Sequence, residues 1–273
     1  MTSQMTQMTQ MTPQMTPQMT PQILHHLHQT ARREGFQILY ACETGSRGWG
    51  FASPDSDFDV RYIFVHPQER YLSVFEPPEQ FTQMLEVDGE VLDFSGWELS
   101  KLLRLLNKSN ATPYEWLQSP IVYQEVPGFR EALFSLGAEY LNPRTLIHHY
   151  LGICHKSMHT GIDGDQINIK KYFYVLRPLL AAKWAADKRT VPPMQFRPLL
   201  NQLDESTTVR QLVEELWVAK EQAKEGAFTP LLPEIQHFVA EEMARLRELA
   251  DAMESNPQNT APLDQFFRKW LTD

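Results

Sequence analysis

Two aspartates separated by one residue, Asp57 and Asp59, form the pattern with the clearest chemistry in this sequence. They lie at the start of an alternating apolar segment, residues 58–65, which predicts a β-strand. Side chains two residues apart on a strand point to the same side. Two carboxylates held that close repel each other unless a cation lies between them. Mg²⁺ is the expected ion, with Mn²⁺ as a possible substitute, because it prefers hard oxygen ligands.

A third carboxylate, Asp93, lies in the apolar sequence Val91-Leu92-Asp93-Phe94. An acid between apolar residues on a strand is costly to bury without a partner, so we expect Asp93 to join the first two. Such a group can hold two ions, one lowering the pKa of an attacking hydroxyl and the other neutralising a departing pyrophosphate. The predicted catalytic and metal-binding residues are therefore Asp57, Asp59 and Asp93.

A Gly-Ser pair, Gly45-Ser46, follows a predicted buried strand at residues 36–41. Gly45 would let the backbone approach a phosphate closely, the Ser46 hydroxyl and nearby N–H groups could bind phosphate oxygens, and Arg47 would add positive charge. Taken singly, the pair is an ordinary loop, and an Asp-x-Asp occurs by chance in many proteins. The ten residues between Ser46 and Asp57, with a strand on either side, favour a nucleoside triphosphate site.

Two longer segments carry a family resemblance: GSRGWGFASPDSDFDVRYIFV (45–65) and LDFSGWELSKLLRLLNKSNATPYEWL (92–117). They resemble the polymerase-beta-like nucleotidyltransferase superfamily, and within it the RlaP group, predicted nucleotidyltransferases associated with RNA ligases and RNA repair. The resemblance spans about 23 to 240. It implies a catalytic domain followed by a helical domain, two Mg²⁺ ions, and transfer of a nucleoside monophosphate from a triphosphate such as ATP to an acceptor hydroxyl.

The surrounding pattern predicts an α+β fold, a mixed sheet followed by helices. Residues 81–87 and 90–95 flank Asp88-Gly89, a two-residue hairpin signal. A helix begins near Trp97. Further helices are predicted at 145–158, 169–186, 209–224 and 233–253.

Three regions follow from this pattern. Residues 1–22 repeat Met-Thr units with Gln and Pro and predict a disordered low-complexity tail. Residues 23–125 form the predicted nucleotidyltransferase domain. Residues 126–273 form a helical domain that binds substrate or nucleotide.

The helical region supplies a second group of candidate nucleotide ligands, Lys170, Lys171 and Tyr172, at the start of a helix. Helix N-terminal amides together with ammonium groups can hold a triphosphate. A solvated basic face is the alternative. Residues 142–200 contain nine Lys or Arg against three Asp or Glu, so a polyanion should meet the protein there.

Weaker candidates lie nearby. Four histidines, His148, His149, His155 and His159, lie in the helical region. His155 and His159 are one helical turn apart, which alone is insufficient for a zinc site. We expect these histidines to line the cleft between the domains. Trp49 is the aromatic residue we expect to stack on a nucleobase.

The composition limits the class of protein. A net charge of −9 argues against a protein that coats nucleic acid. Only Cys42 and Cys154 are present and no run of residues is long and apolar enough to span a membrane, so we expect a cytoplasmic protein without membrane contact.

The acceptor remains open at this point. An RNA end in RNA repair, with a repair ligase as partner, is the first hypothesis. The second is a toxin-like or antibiotic-modifying enzyme acting on tRNA, a protein or an aminoglycoside. The third is a nucleotide-binding protein without catalysis.

Overall fold

The computed structural model describes residues 19–53, 55–158, 160–222, 226–254 and 259–271. The first helix begins at Thr20, and Met19 is buried in the core. The last four residues of the predicted tail, 19–22, therefore belong to the folded part, whereas 1–18 lie outside the described residues.

Five strands form the main sheet, in the order β3-β4-β2-β1-β5. Strands β2 and β4 are parallel, and the other neighbours are antiparallel. A second, three-stranded sheet has the order β6-β7-β8. The strands are β1 Gln37–Glu43, β2 Phe58–Val65, β3 Gln80–Val87, β4 Glu90–Glu98, β5 Val122–Glu125, β6 Ile162–Asp163, β7 Gln166–Asn168 and β8 Phe228–Pro230.

Twelve helices accompany these strands in the described ranges. They are α1 Thr20–Glu34, α2 Gly45–Trp49, α3 Gln68–Tyr71, α4 Leu99–Asn107, α5 Ala111–Leu117, α6 Phe129–Glu139, α7 Pro143–Met158, α8 Ile169–Lys188, α9 Phe196–Leu200, α10 Thr208–Gln222, α11 Pro233–Asp251 and α12 Ala261–Leu271. Within these ranges, no helix is both long and apolar enough to cross a membrane. The predicted α+β class is confirmed: a mixed sheet precedes a helical part.

The predicted hairpin is confirmed. Val87 pairs with Glu90, and the two turn residues, Asp88 and Gly89, both have positive φ, 53° and 84°. This is the backbone that a two-residue hairpin turn requires, since its twist matches that of the flanking strands.

The predicted helix near Trp97 is confirmed, and it begins two residues later than expected. Strand β4 continues to Glu98, and α4 begins at Leu99. The Glu98 carboxylate accepts hydrogen bonds from the backbone N–H of Ser100 and of Lys101, so it caps the helix. The apolar residues around Trp97 fit either a strand or a helix, and the cap decides the boundary.

Each face of the main sheet is covered by different helices. On one face α1 packs Ile23 and Leu27 against Val60 and Phe94. On the other face, helices α4, α5, α6 and α12 form a core with Ile63 and its neighbours.

Two helices that the sequence pattern missed, α6 and α12, belong to this second core. Phe129 of α6 and Trp270 of α12 lie with ring centroids 4.9 Å apart. Both helices fall within the segment predicted to be the separate helical domain, yet they pack with the sheet. The core of the helical part is built by α7 to α11.

Candidate active site

The parallel register of β2 and β4 creates the centre of the site. It places Asp59 directly opposite Asp93. Their side chains are 27% and 34% exposed. Two carboxylates therefore lie side by side at the surface of the sheet.

A cation that sequence reasoning missed joins this pair. One guanidinium nitrogen of Arg61, Nη2, donates to Asp59 Oδ1 at 3.0 Å and to Asp93 Oδ2 at 2.8 Å. The other terminal nitrogen, Nη1, donates to the backbone carbonyls of Asp93 and Val60. Arg61 follows Asp59 by two residues on the same strand, so strand alternation alone could have placed it beside the acids.

Asp57 is not part of the contacts that join Asp59, Asp93 and Arg61. It lies one residue before β2 begins and is exposed to solvent. Its negative charge is one of the influences that raise the pKa of Asp59. Across the described ranges, no three Asp, Glu, His or Cys side chains lie close enough together to hold an ion by themselves.

Gly45 lies against the Asp59 carboxylate. Its φ is +55°, and a Cβ atom at this position would be 1.8 Å from Asp59 Oδ2. The backbone N–H of Thr44 donates to the Asp59 carbonyl at 2.9 Å. Only glycine fits both the positive φ and the small space at this position. The absence of a side chain at position 45 therefore allows the Gly-Ser segment to contact Asp59.

The Gly-Ser segment forms a short helix, α2, where the sequence suggested a turn. Ser46 is buried, and its carbonyl accepts from the backbone N–H of Gly50 and Phe51. The predicted contact of its hydroxyl with phosphate stays a prediction.

Arg47 has a different role from the predicted one. Its guanidinium donates to the backbone carbonyls of Ser56 and Asp57 and lies 3.8 Å from the centre of the Phe58 ring. The side chain thus fastens the loop that carries Asp57. We assign it to positioning that loop, and its predicted contact with phosphate stays a prediction.

A buried acid beneath the site, Glu43, was also missed. Its Oε1 accepts from the backbone N–H of Asp59 at 2.7 Å, and its other carboxylate oxygen accepts from the Tyr123 hydroxyl. Burial raises the pKa of Glu43 to about 8. Sequence gave no signal, because an acid at a strand end usually faces solvent.

Several charges act on Asp59. Burial is the largest influence and raises the pKa of its carboxyl, and the neighbouring Asp93 and Asp57 raise it further. Arg61 and Lys170 lower it. Lys170 is the second residue of α8, so the helical part contributes positive charge that acts on Asp59.

Lys171 lies next to Lys170 but is used partly in packing. Its aliphatic chain occupies the space beside Gly161, and its ammonium is 5.5 Å from the centre of the Tyr174 ring. The Lys170 ammonium lies 5.9 Å from the same ring. Two ammonium groups therefore flank Tyr174 at the start of α8.

Tyr172 has a packing role in the structure, and its predicted nucleotide contact stays a prediction. This residue is 3% exposed in the helical core, where its hydroxyl accepts a hydrogen bond from the backbone N–H of Leu232 at 2.6 Å. Two positions along a helix turn the side chain by about 200°, so Tyr172 points away from the face that carries Lys170.

Trp49 lies in the interface between the sheet and α8 and is already stacked. The guanidinium of Arg177 is 4.5 Å from the centre of its ring, and Tyr174 packs edge-on at 5.4 Å. Arg177 is buried and also pairs with Glu115 of α5 at 3.1 Å. Trp49 therefore serves this interface, and the expected nucleobase contact has no support from its surroundings.

The predicted histidine group is dispersed. His155 is exposed on α7, while His159 lies outside the described residues. His149 is partly buried, and burial lowers its pKa. His148 lies 3.4 Å from Asp251 of α11.

The side chains present suit a hard divalent cation whose coordination is completed by substrate. Mg²⁺ is usually held by one or two carboxylates together with substrate phosphates. Asp59 and Asp93 supply two carboxylates in register, with Asp57 nearby. The lack of a three-residue cluster is therefore compatible with Mg²⁺ bound together with a nucleotide.

Comparison with known proteins identifies a family whose sequence pattern the chain matches. The RNA repair pathway DNA polymerase beta family matches residues 19–269. An uncharacterized protein of Bacillus subtilis (strain 168), YcgL, is 36% identical over 237 residues, covering 87% of this chain and 90% of that protein. A crystal structure of a nucleotidyltransferase-like protein from Exiguobacterium sibiricum 255-15 is 12% identical, with a TM-score of 0.35, covering 86% of this chain and 75% of that one.

Proposed function

The chain belongs to the RNA repair pathway DNA polymerase beta family, and we propose that it transfers a nucleoside monophosphate from a nucleoside triphosphate to a hydroxyl at an RNA end. Pyrophosphate is the second product. The observation that carries the proposal is the Asp59–Asp93 pair, in register on parallel strands and in contact with the Gly45 backbone.

The triphosphate lies between the sheet and α8. Gly45 permits the backbone to approach a phosphate group, and Lys170 supplies a positive charge that acts on Asp59. Phosphates placed there meet the carboxylates at one end and ammonium groups at the other.

Asp59 and Asp93, with Asp57, hold Mg²⁺ or Mn²⁺ together with the nucleotide. Bound there, the metal neutralises charge on the phosphates and lowers the pKa of the acceptor hydroxyl. Arg47 keeps Asp57 in place by holding its backbone, and Glu43 holds the backbone of Asp59.

The proposal includes two domains that contribute different groups to the site. The sheet supplies the acids, and the helical part supplies Lys170 and the neighbouring ammonium. The predicted boundary at 125/126 is kept, with α6 and α12 packed onto the catalytic side. A repair ligase that seals the modified end is the proposed partner.

The test uses the full chain with α-labelled nucleoside triphosphates, Mg²⁺ and a single-stranded RNA with a free 3′ hydroxyl. Asp59→Asn and Asp93→Asn should each abolish incorporation, because they remove a charge but keep the side-chain shape. Asp163→Asn, at an exposed position on β6, is the matched control and should keep full activity.

Parallel reactions with tRNA, cell protein and an aminoglycoside decide the acceptor. Label on protein or on the aminoglycoside, with none on RNA, would reject an RNA end. Tight nucleotide binding without labelled product on any acceptor would reject catalysis. Activity that survives Asp59→Asn would reject the assigned site.

A further inference from the structure

We propose that Arg61 occupies the cation position between Asp59 and Asp93, so that a metal binds first on the Gly45 side of Asp59 and a second metal enters only when Arg61 withdraws. This inference rests on the proposed function, because it concerns the metals of the same site. It changes the expectation of two equivalent ions.

The position of the guanidinium carries the argument. A single nitrogen, Nη2, lies 3.0 Å from Asp59 Oδ1 and 2.8 Å from Asp93 Oδ2. A Mg²⁺ ion shared by the same two oxygens would lie about 2.1 Å from each. That location overlaps the nitrogen, so the ion and Arg61 exclude each other there.

Arg61 is held in this position by more than the two carboxylates. Its Nη1 donates to the Asp93 carbonyl at 2.8 Å and to the Val60 carbonyl at 3.1 Å. The side chain is 17% exposed. Four hydrogen bonds to two strands make the guanidinium a fixed part of the site, and withdrawing it has a free-energy cost.

The two oxygens of Asp59 serve different sides. Oδ1 accepts from Arg61, whereas Oδ2 faces Gly45, since a Cβ on that glycine would be 1.8 Å from it. A metal on the Gly45 side can use Oδ2 while Arg61 keeps Oδ1. The first metal therefore does not compete with Arg61, but the second one does.

The charges at the site predict that loss of Arg61 strengthens binding of the second metal. Asp59 and Asp93 carry two negative charges, and Arg61 cancels one of them. Replacing Arg61 with a neutral residue doubles the net negative charge of the pair and removes the steric competitor. Partial solvent exposure weakens the effect, and we expect the second ion to bind about tenfold more tightly or better.

The experiment counts bound Mn²⁺ by electron paramagnetic resonance of the free ion, using the full chain and a non-hydrolysable triphosphate analogue. Wild type should bind one ion tightly and a second about tenfold or more weakly. Arg61→Gln should strengthen the binding of the second ion more than that of the first, because only the second ion also loses a steric competitor. Arg70→Gln, at an exposed position on α3, should match wild type.

Arg61→Lys keeps the charge but lacks the fork of donors, and it also covers the case in which Arg61→Gln does not fold. The affinity of Arg61→Lys for the second Mn²⁺ ion should lie between the affinities of wild type and Arg61→Gln. Melting with and without Mn²⁺ gives a second readout: the ion should stabilise Arg61→Gln more than wild type.

The contrary results are distinct. Wild type could bind two ions with equal affinity, or both Arg61 variants could bind the second ion with the wild-type affinity. Either result would show that Arg61 has only a structural role. Failure of the proposed function gives another pattern, in which wild type binds no Mn²⁺ in response to the nucleotide analogue.

Discussion

Gly45→Ala tests whether the contact between the Gly-Ser segment and Asp59 controls the site. The added Cβ would lie 1.8 Å from Asp59 Oδ2, whereas contacts under 3.0 Å essentially never occur. The carboxylate must therefore move by roughly 1.2 Å or the segment must shift by the same amount. A displacement of about 1 Å at a reacting centre can reduce the rate about 100-fold.

Backbone strain must be separated from this displacement. Alanine at φ +55° has a left-handed conformation, which costs roughly 1–2 kcal/mol. Gly35→Ala is the matched control, because Gly35 has φ +69° at the end of α1 and no atom lies within 4 Å of its added Cβ. The control carries the strain without the clash.

The assay combines urea unfolding with the rate of Mg²⁺-dependent nucleotide incorporation. Gly35→Ala should lose about 1 kcal/mol of unfolding free energy and keep its activity. Gly45→Ala should lose more stability and about 100-fold in rate. Equal activity of the two variants would refute the reasoning, because it would mean that the position of Asp59 does not depend on Gly45.

Four further outcomes are expected. Lys170→Gln should raise the KM for the nucleoside triphosphate about tenfold, by loss of positive charge, and should leave the melting temperature unchanged. Tyr172→Phe should do the reverse, losing about 1–2 kcal/mol of unfolding free energy with an unchanged KM, because its hydroxyl accepts a buried hydrogen bond. Arg177→Met leaves Glu115 without its buried partner and should cost about 3–5 kcal/mol in urea unfolding, most of which Glu115→Gln in the same chain should restore. Burial raises the pKa of Glu43 from 4.5 to about 8, so the folded protein binds this proton more tightly than the unfolded chain. The free energy of unfolding should therefore fall as pH rises from 5 to 8. Urea unfolding measured across this range should show the fall in wild type and not in Glu43→Gln.

The local elements of the site could be predicted because their signals are local. Strand alternation placed Asp59 on the face where it is found, and Asp88-Gly89 predicted the hairpin that brings in β4. The glycine at position 45 signalled a close backbone approach. Each inference needed only neighbouring residues.

Distant contacts decided what the sequence pattern left out. Lys170, Lys171 and Tyr172 were grouped because they are consecutive in the chain, yet the Tyr172 hydroxyl is bonded within the helical core, whereas the Lys170 charge acts on Asp59. Arg47 was predicted to contact phosphate from its position alone, and the structure adds two carbonyl partners, nine and ten residues away. Helices α6 and α12 were missed because their packing partners lie on the sheet and on each other.

The amino-acid sequence by itself determined the family, the α+β class and the presence of Asp57 and Asp59 beside a Gly-Ser segment, because turn chemistry and strand alternation act over a few residues. The tertiary structure decided which strand lies beside β2. That register sets Asp93 opposite Asp59 and lets Arg61 bridge the two. The pairing depends on how β4 is laid against β2, which no local pattern encodes.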